Sequence, residues 1–178
     1  MFGIRQRATS HFALSPVFLI WTCFIFGCGY VSTSSYLEHI KAINIPPIEI
    51  EDPDFTFDVS GNPYSEIITE KFRDRFYQKW RDGNDAQLDL IIRDYDWQPI
   101  DYDVNNNPTQ FRISLEIQYE FRDRVQNRII DGQENYIQIH DYYIVSDRGE
   151  PPETRTEATT LLIQELTDDL YSQLAEQW

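Results

Sequence analysis

The sequence predicts an α/β protein: a two-layer sandwich with two helices packed on one face of a mixed or antiparallel four-stranded sheet, in the order β-α-β-β-β-α. Three observations carry this. Phe111, Ile113, Leu115, Ile117, Tyr119 and Phe121 alternate with Arg112, Ser114, Glu116, Gln118, Glu120 and Arg122, which is the period of a strand with one face buried and one wet. Tyr64, Ile68, Phe72, Phe76 and Trp80 recur every fourth residue, the spacing of an apolar stripe on a helix. Ala158, Leu162, Leu166, Leu170, Leu174 and Trp178 repeat that spacing, with Glu165, Asp168, Asp169 and Glu176 off the stripe.

The remaining elements fall between these. In "IKAINIPPIEI", Ile40, Ala42 and Asn44 face one way on a first strand, and Pro46 and Pro47 stop it and suggest a sheet edge. "EDPDFTFDVSGNP" reads as a loop. Asn62 fits the cap of the first helix with Pro63 at its first position, where a missing N–H costs nothing, and Gly83 fits its left-handed stop. "AQLDLIIRDYDW" is a second strand, with Leu88, Leu90 and Ile92 on one side; a loop is expected at residues 95–109 and a turn at 123–127. "RIIDGQENYIQIHDYYIV" returns as the last strand, with an irregularity at Gly132. The second helix opens at Pro151 and Pro152. No internal repeat or low-complexity tract is read.

The N-terminus has the charge order of a bacterial export signal. Arg5, Arg7 and His11 precede an uncharged, bulky apolar segment from Phe12 to Phe26, and small residues begin at Gly27, beside Cys28. Two readings follow. Residues 1–27 are a cleaved lipoprotein-type signal and Cys28 is the acylated first residue, or the segment is an uncleaved anchor, for which roughly 20 apolar residues are required. The early onset of small and polar residues favours the first. Residues 28–38 are then an acylated tether and residues 39–178 a single α/β domain.

Cleavage before Cys28 leaves 151 of the 178 residues, enough for one core. It removes two arginines and no acid, so the formal net charge moves from −15 to −17. That sign argues against nucleic acid, whose binding rests on phosphate neutralisation. With Cys28 acylated no cysteine remains downstream, so packing alone must hold the fold.

Catalytic and metal signals are weak, and no cofactor, metal site or catalytic residue is assigned. Asp101, Asp103, Asn105 and Asn107 have the spacing of calcium ligands, but Asn106 stands where glycine is wanted and Arg112 where a bidentate glutamate is. Asn and Asp also favour turns on their own account. His140 beside Asp141 has no serine in a nucleophile elbow to serve. His39 is the other histidine outside the export signal. No glycine-rich phosphate loop is present.

The chain resembles the lipopolysaccharide-assembly lipoprotein family, LptE. The resemblance rests on "GCGY" at the acylation position, "INIPPIE", "YSEIITEKFRDRFYQKW", "LDLIIRDYDWQPIDYDVNNNPTQFRISLEIQYEFRD" and a C-terminal helix ending in tryptophan. It implies a similar sandwich fold and a non-enzymatic role as a plug within the outer-membrane β-barrel LptD, stabilising its assembly and handling lipopolysaccharide. It also implies an outer-membrane, lipid-anchored location with palmitate-type acylation, the domain facing the periplasm and the barrel lumen; Gly29 is not the aspartate that retains enteric lipoproteins at the inner membrane. A charge of −17 argues against gripping anionic lipopolysaccharide through a broad basic surface. Arg93, Arg112, Arg122, Arg124 and Arg128 are nevertheless close enough in sequence for a local basic patch. The resemblance fixes no ligand-binding residue. The alternative reading is another outer-membrane adaptor lipoprotein, an activator of a peptidoglycan synthase or a secretion-system component.

Overall fold

The computed structural model describes residues 36–146 and 151–176. The export segment, Cys28, the tether up to Ser35 and Trp178 lie outside these residues. The elements in chain order are β1 (Ala42–Asn44), β2 (Glu49–Ile50), a 3-10 turn (Pro53–Phe55), α1 (Tyr64–Phe76), β3 (Arg81–Asp82), β4 (Ala86–Tyr102), β5 (Pro108–Asp123), β6 (Arg128–Tyr143) and α2 (Arg155–Tyr171), which runs into a π-helical turn (Ser172–Glu176). The α/β class is as expected, but among the described residues the open mixed sheet has six strands and not four. Its order is β3-β1-β4-β5-β6, with β2 also pairing to β4. The unexpected β2 and β3 are two residues each, too short to show a period. They and β1 run parallel to their neighbours, while β4, β5 and β6 form an antiparallel meander.

Proline misled the placement of β1. The strand lies between β3 and β4 and not at an edge, because it ends before Pro46 and Pro47 could interrupt a ladder. Ile43 and Ile45 are buried along with Ile40 and Ala42, so no wet side separates there. Strand β4 runs on through the expected loop to Tyr102. Register shifts between Ile92 and Asp94 and around Asp101 absorb the irregularity, and Pro99 sits next to one of them, where a missing donor is tolerated.

One core joins both helices to one sheet face. The inward residues of β5, from Phe111 to Phe121, meet the α1 stripe Ile68, Phe72 and Phe76 and the α2 stripe Ala158, Leu162, Leu166 and Leu170. Trp80 packs on Phe121 with ring centroids 5.8 Å apart, and Gln173 donates to the Tyr119 hydroxyl at 2.8 Å. Helix α2 begins with a capping box: Thr154 Oγ1 accepts from the Glu157 amide at 3.2 Å, and the Glu157 carboxylate accepts from the Thr154 amide at 2.8 Å.

Helix α1 is shorter than expected at both ends. Pro63 is its extended cap residue and provides no side-chain bond. The chain leaves the helix after Phe76, so Trp80 reaches the core from the following turn. Gly83 is not the helix stop. A Cβ there would lie 2.6 Å from the Ala42 Cβ, so the glycine lets the segment after β3 close against β1. Gly83→Ala is expected to cost about 1–3 kcal/mol through overpacking, read as a lower urea midpoint. Adding Ala42→Gly should restore part of the loss, and an unchanged midpoint in Gly83→Ala would refute the close-approach argument.

The two loops "DVSGNP" and "DVNNNP" fold alike. The Asp58 carboxylate accepts from the Ser60 amide (2.8 Å), the Asn62 amide (2.7 Å) and the Asn62 side chain (2.9 Å). Asp103 accepts from the Asn105 amide (2.8 Å), the Asn107 amide (2.8 Å) and the Asn107 side chain (2.9 Å). Gly61 and Asn106 supply the left-handed residue, at φ 84° and 65°. These bonds, the Asn side chain's first, hold both carboxyls below their ordinary range. Asn62 is therefore spent on its own loop and not on capping α1. The calcium-like spacing is likewise a turn: Asp103 points both oxygens at its own loop. Among the described residues no group of three His, Cys, Asp or Glu is placed to hold a metal ion.

Candidate interaction surface

The sheet face turned away from the helices is polar and uncovered by any described element. Cross-strand register sets its rows: Gln98, Arg112 and Asp141; Asp96, Ser114 and Ile139; Asp94, Glu116 and Ile137. Asp94 and Glu116 stand directly opposite each other, a like-charge arrangement that weakens a strand pair.

The five arginines do not assemble a basic patch. Arg112 makes a two-pronged pair with Asp141, both bonds 2.7 Å, which holds the Asp141 carboxyl below its ordinary range. Arg93 binds Glu51 and Gln118, and Arg122 binds Glu120 at 2.9 Å. Arg124 reaches Asn84 at 3.3 Å, while Arg128 lies 3.4 Å from Asp123 and over the Tyr36 ring. Most of this positive charge is neutralised within the chain, leaving a surface with surplus acid.

Both described histidines, His39 and His140, are paired with acids. His140 and Asp141 occupy opposite faces of β6, so no triad forms. His140 Nε2 is 3.1 Å from Glu153 and Nδ1 is 3.1 Å from Glu165, which ties β6 to α2. His39 Nε2 is 2.7 Å from a fully buried Asp123 carboxylate that also accepts from the Gln126 amide at 2.9 Å. Sequence could not pair them, because 84 positions separate His39 from Asp123.

An aromatic corner locks the end of the β4–β5 hairpin. Trp97 stacks on Phe111 at 4.7 Å and donates to the Tyr142 hydroxyl at 2.9 Å, and the Arg155 guanidinium lies 4.8 Å from the Trp97 ring. Tyr119 is pushed up to about 12, first by burial and then by Asp131, so its phenol stays protonated as a hydrogen-bonding group. Cys28, the predicted lipidation residue, lies outside the described residues, as does the segment read alternatively as an anchor. Among the described residues no helix is long and apolar enough to cross a membrane.

Fold and surface together describe a small α/β domain with one broad polar sheet face. The model of the LptE family, lipopolysaccharide-assembly, matches residues 42–177. The chain belongs to that family. Among solved structures, it is similar to the protein XCC0632 from Xanthomonas campestris, with TM-score 0.51 and 9% identity, covering 76% of this chain and 85% of that one. The hypothetical protein CT253 from Chlamydia trachomatis gives TM-score 0.51 and 9% identity over 76% of this chain and 95% of that one. The rare lipoprotein B from Shewanella oneidensis gives TM-score 0.42 and 12% identity over 75% and 95%. No curated protein matches the sequence.

Proposed function

We propose that this protein is an outer-membrane lipoprotein, acylated at Cys28, that fills the lumen of an LptD-type β-barrel and helps that barrel assemble for lipopolysaccharide export. The domain, residues 39–178, hangs on the 28–38 tether, faces the periplasm and the lumen, and acts without catalysis. Family membership supports the lipopolysaccharide-assembly role. The observation that carries the plug reading is the uncovered polar face of β4, β5 and β6, strands of 16 or 17 residues. At about 3.3 Å per residue such strands extend about 50 Å, longer than the roughly 30 Å hydrocarbon core. A slab of this length and polarity suits the wet interior of a large barrel. The chain's net negative charge and its internally paired arginines favour protein contact over a broad lipopolysaccharide-binding surface.

Photocrosslinkers at Tyr102 and Gln118, with buried Phe72 as a negative control, test the reading in intact envelopes. Capture of a large outer-membrane barrel at exposed Tyr102 and half-buried Gln118 is expected. Capture of a peptidoglycan synthase instead favours the adaptor alternative, and absence of any capture overturns the plug reading. Intact-protein mass spectrometry of the same material should give a diacylated or triacylated mass beginning at Cys28.

A further inference from the structure

We infer that the outer edge of β6, at Ile137, Ile139 and Asp141, is a docking edge for an extended segment of a partner protein, apolar at alternate positions and basic at its ends. The two sheet edges differ sharply. The opposite edge is made of two-residue strands, β3 and β2, and the far half of β4, whereas β6 runs for 16 and has no described strand beyond it. Long exposed edges are normally blunted by proline, lysine, bulges or a covering loop. Strand β6 has neither proline nor lysine. Its first half is broken by register shifts between Arg128 and Tyr136, and its end is covered where the Tyr143 carbonyl accepts from the Glu153 amide at 2.8 Å. Between these devices a regular stretch is left open among the described residues.

Register shows which backbone groups face outward. The Ile144 amide donates to the Thr109 carbonyl at 3.1 Å, and the pairing continues without a shift to Tyr136 opposite Ile117. Successive residues alternate between facing β5 and facing away. Tyr136, Gln138 and His140 therefore bond β5, while Ile137, Ile139 and Asp141 present their N–H and C=O groups to the open edge. The side chains of Ile137 and Ile139 are 56% and 47% exposed, and they lie on the sheet face free of helices. An added strand would satisfy these backbone groups and cover both isoleucines.

Charge distinguishes among occupants. Glu134 lies exposed at one end of the open stretch; Glu153, which shares His140 with Glu165, lies at the other, and Arg112 is already held by Asp141. A second copy would bring the same acids together on chains of net charge −15. Basic ends on a partner segment match them.

Amide hydrogen exchange on the full-length protein tests this, with a probe peptide carrying valine at alternate central positions, threonine between them and lysines at each end. In the free protein the Ile137, Ile139 and Asp141 amides should exchange quickly and those of Tyr136, Gln138 and His140 slowly. Saturating peptide should slow the first three by about tenfold or more and leave the others unchanged. Ile139→Lys should weaken peptide binding by about tenfold or more. Ile139→Pro, which removes only an outward N–H, should do the same with the β5 ladder still protected. Absence of slowing by the peptide overturns the proposal. So does protection without peptide: if it grows with protein concentration the occupant is a second copy, and if it does not the chain covers its own edge.

Discussion

Phe76→Ala is expected to lower the unfolding free energy by about 3–5 kcal/mol, the cost of a large cavity in a close-packed core. Phe76 is fully buried, and its ring contacts Phe72 at 6.0 Å, Trp80 at 6.2 Å and, edge-on, Tyr171 at 5.4 Å. These neighbours come from α1, the turn after it and α2, so one truncation loosens both helices at once. Domains of this size are stable by only about 5–15 kcal/mol, which makes the loss a large share of the total. Urea unfolding reads it as a lower midpoint with little change in slope. Phe76→Leu should cost clearly less because it keeps most of the volume. A loss below about 1 kcal/mol for the alanine variant would mean that the two helices do not share this packing point.

Asp123→Ala should be comparably severe, at about 3 kcal/mol, because it leaves a histidine, an arginine and a backbone amide facing a buried void. Burial alone would raise the Asp123 carboxyl, but hydrogen bonds from the Gln126 amide, His39 and Arg128 outweigh it and hold the carboxyl below its ordinary 3.8. A carboxyl depressed in the folded state contributes fully above its unfolded value, and that contribution is lost as pH falls through the folded value. Wild-type stability should therefore fall as pH drops below about 4. Asp123→Asn, already uncharged, should be less stable near neutrality and show a flatter acid limb. Parallel acid limbs for the two proteins would show that this carboxylate does not drive the dependence.

The main secondary structure was legible in the residues themselves. Alternation through Phe111–Phe121 and the fourfold rows of the two helices are local, periodic and strong, so those elements fall as expected and share one core. The errors lie where local chemistry has two readings. Asn62 suits a helix cap and a loop clasp equally, and Asp58 four residues earlier decides for the clasp. Gly83 suits a left-handed stop, yet its purpose is set by Ala42, a neighbour in space. The grouped arginines suggested a basic patch, and cross-strand partners such as Asp141 and Glu51 neutralised much of it. A pairing 29 or 42 positions away leaves no trace in spacing.

The amino-acid order by itself determined the two long helices and the three long strands, the side each turns inward, and the membership of a lipopolysaccharide-assembly family. Side-chain period and backbone preference act within a few residues, so they can be read along a line. Only the tertiary structure decided that β1 sits inside the sheet, that Asp123 is clasped by His39, and that the Ile137 and Ile139 side chains of β6 stay exposed. Those facts depend on which distant segments become neighbours, and that is set when the whole core closes.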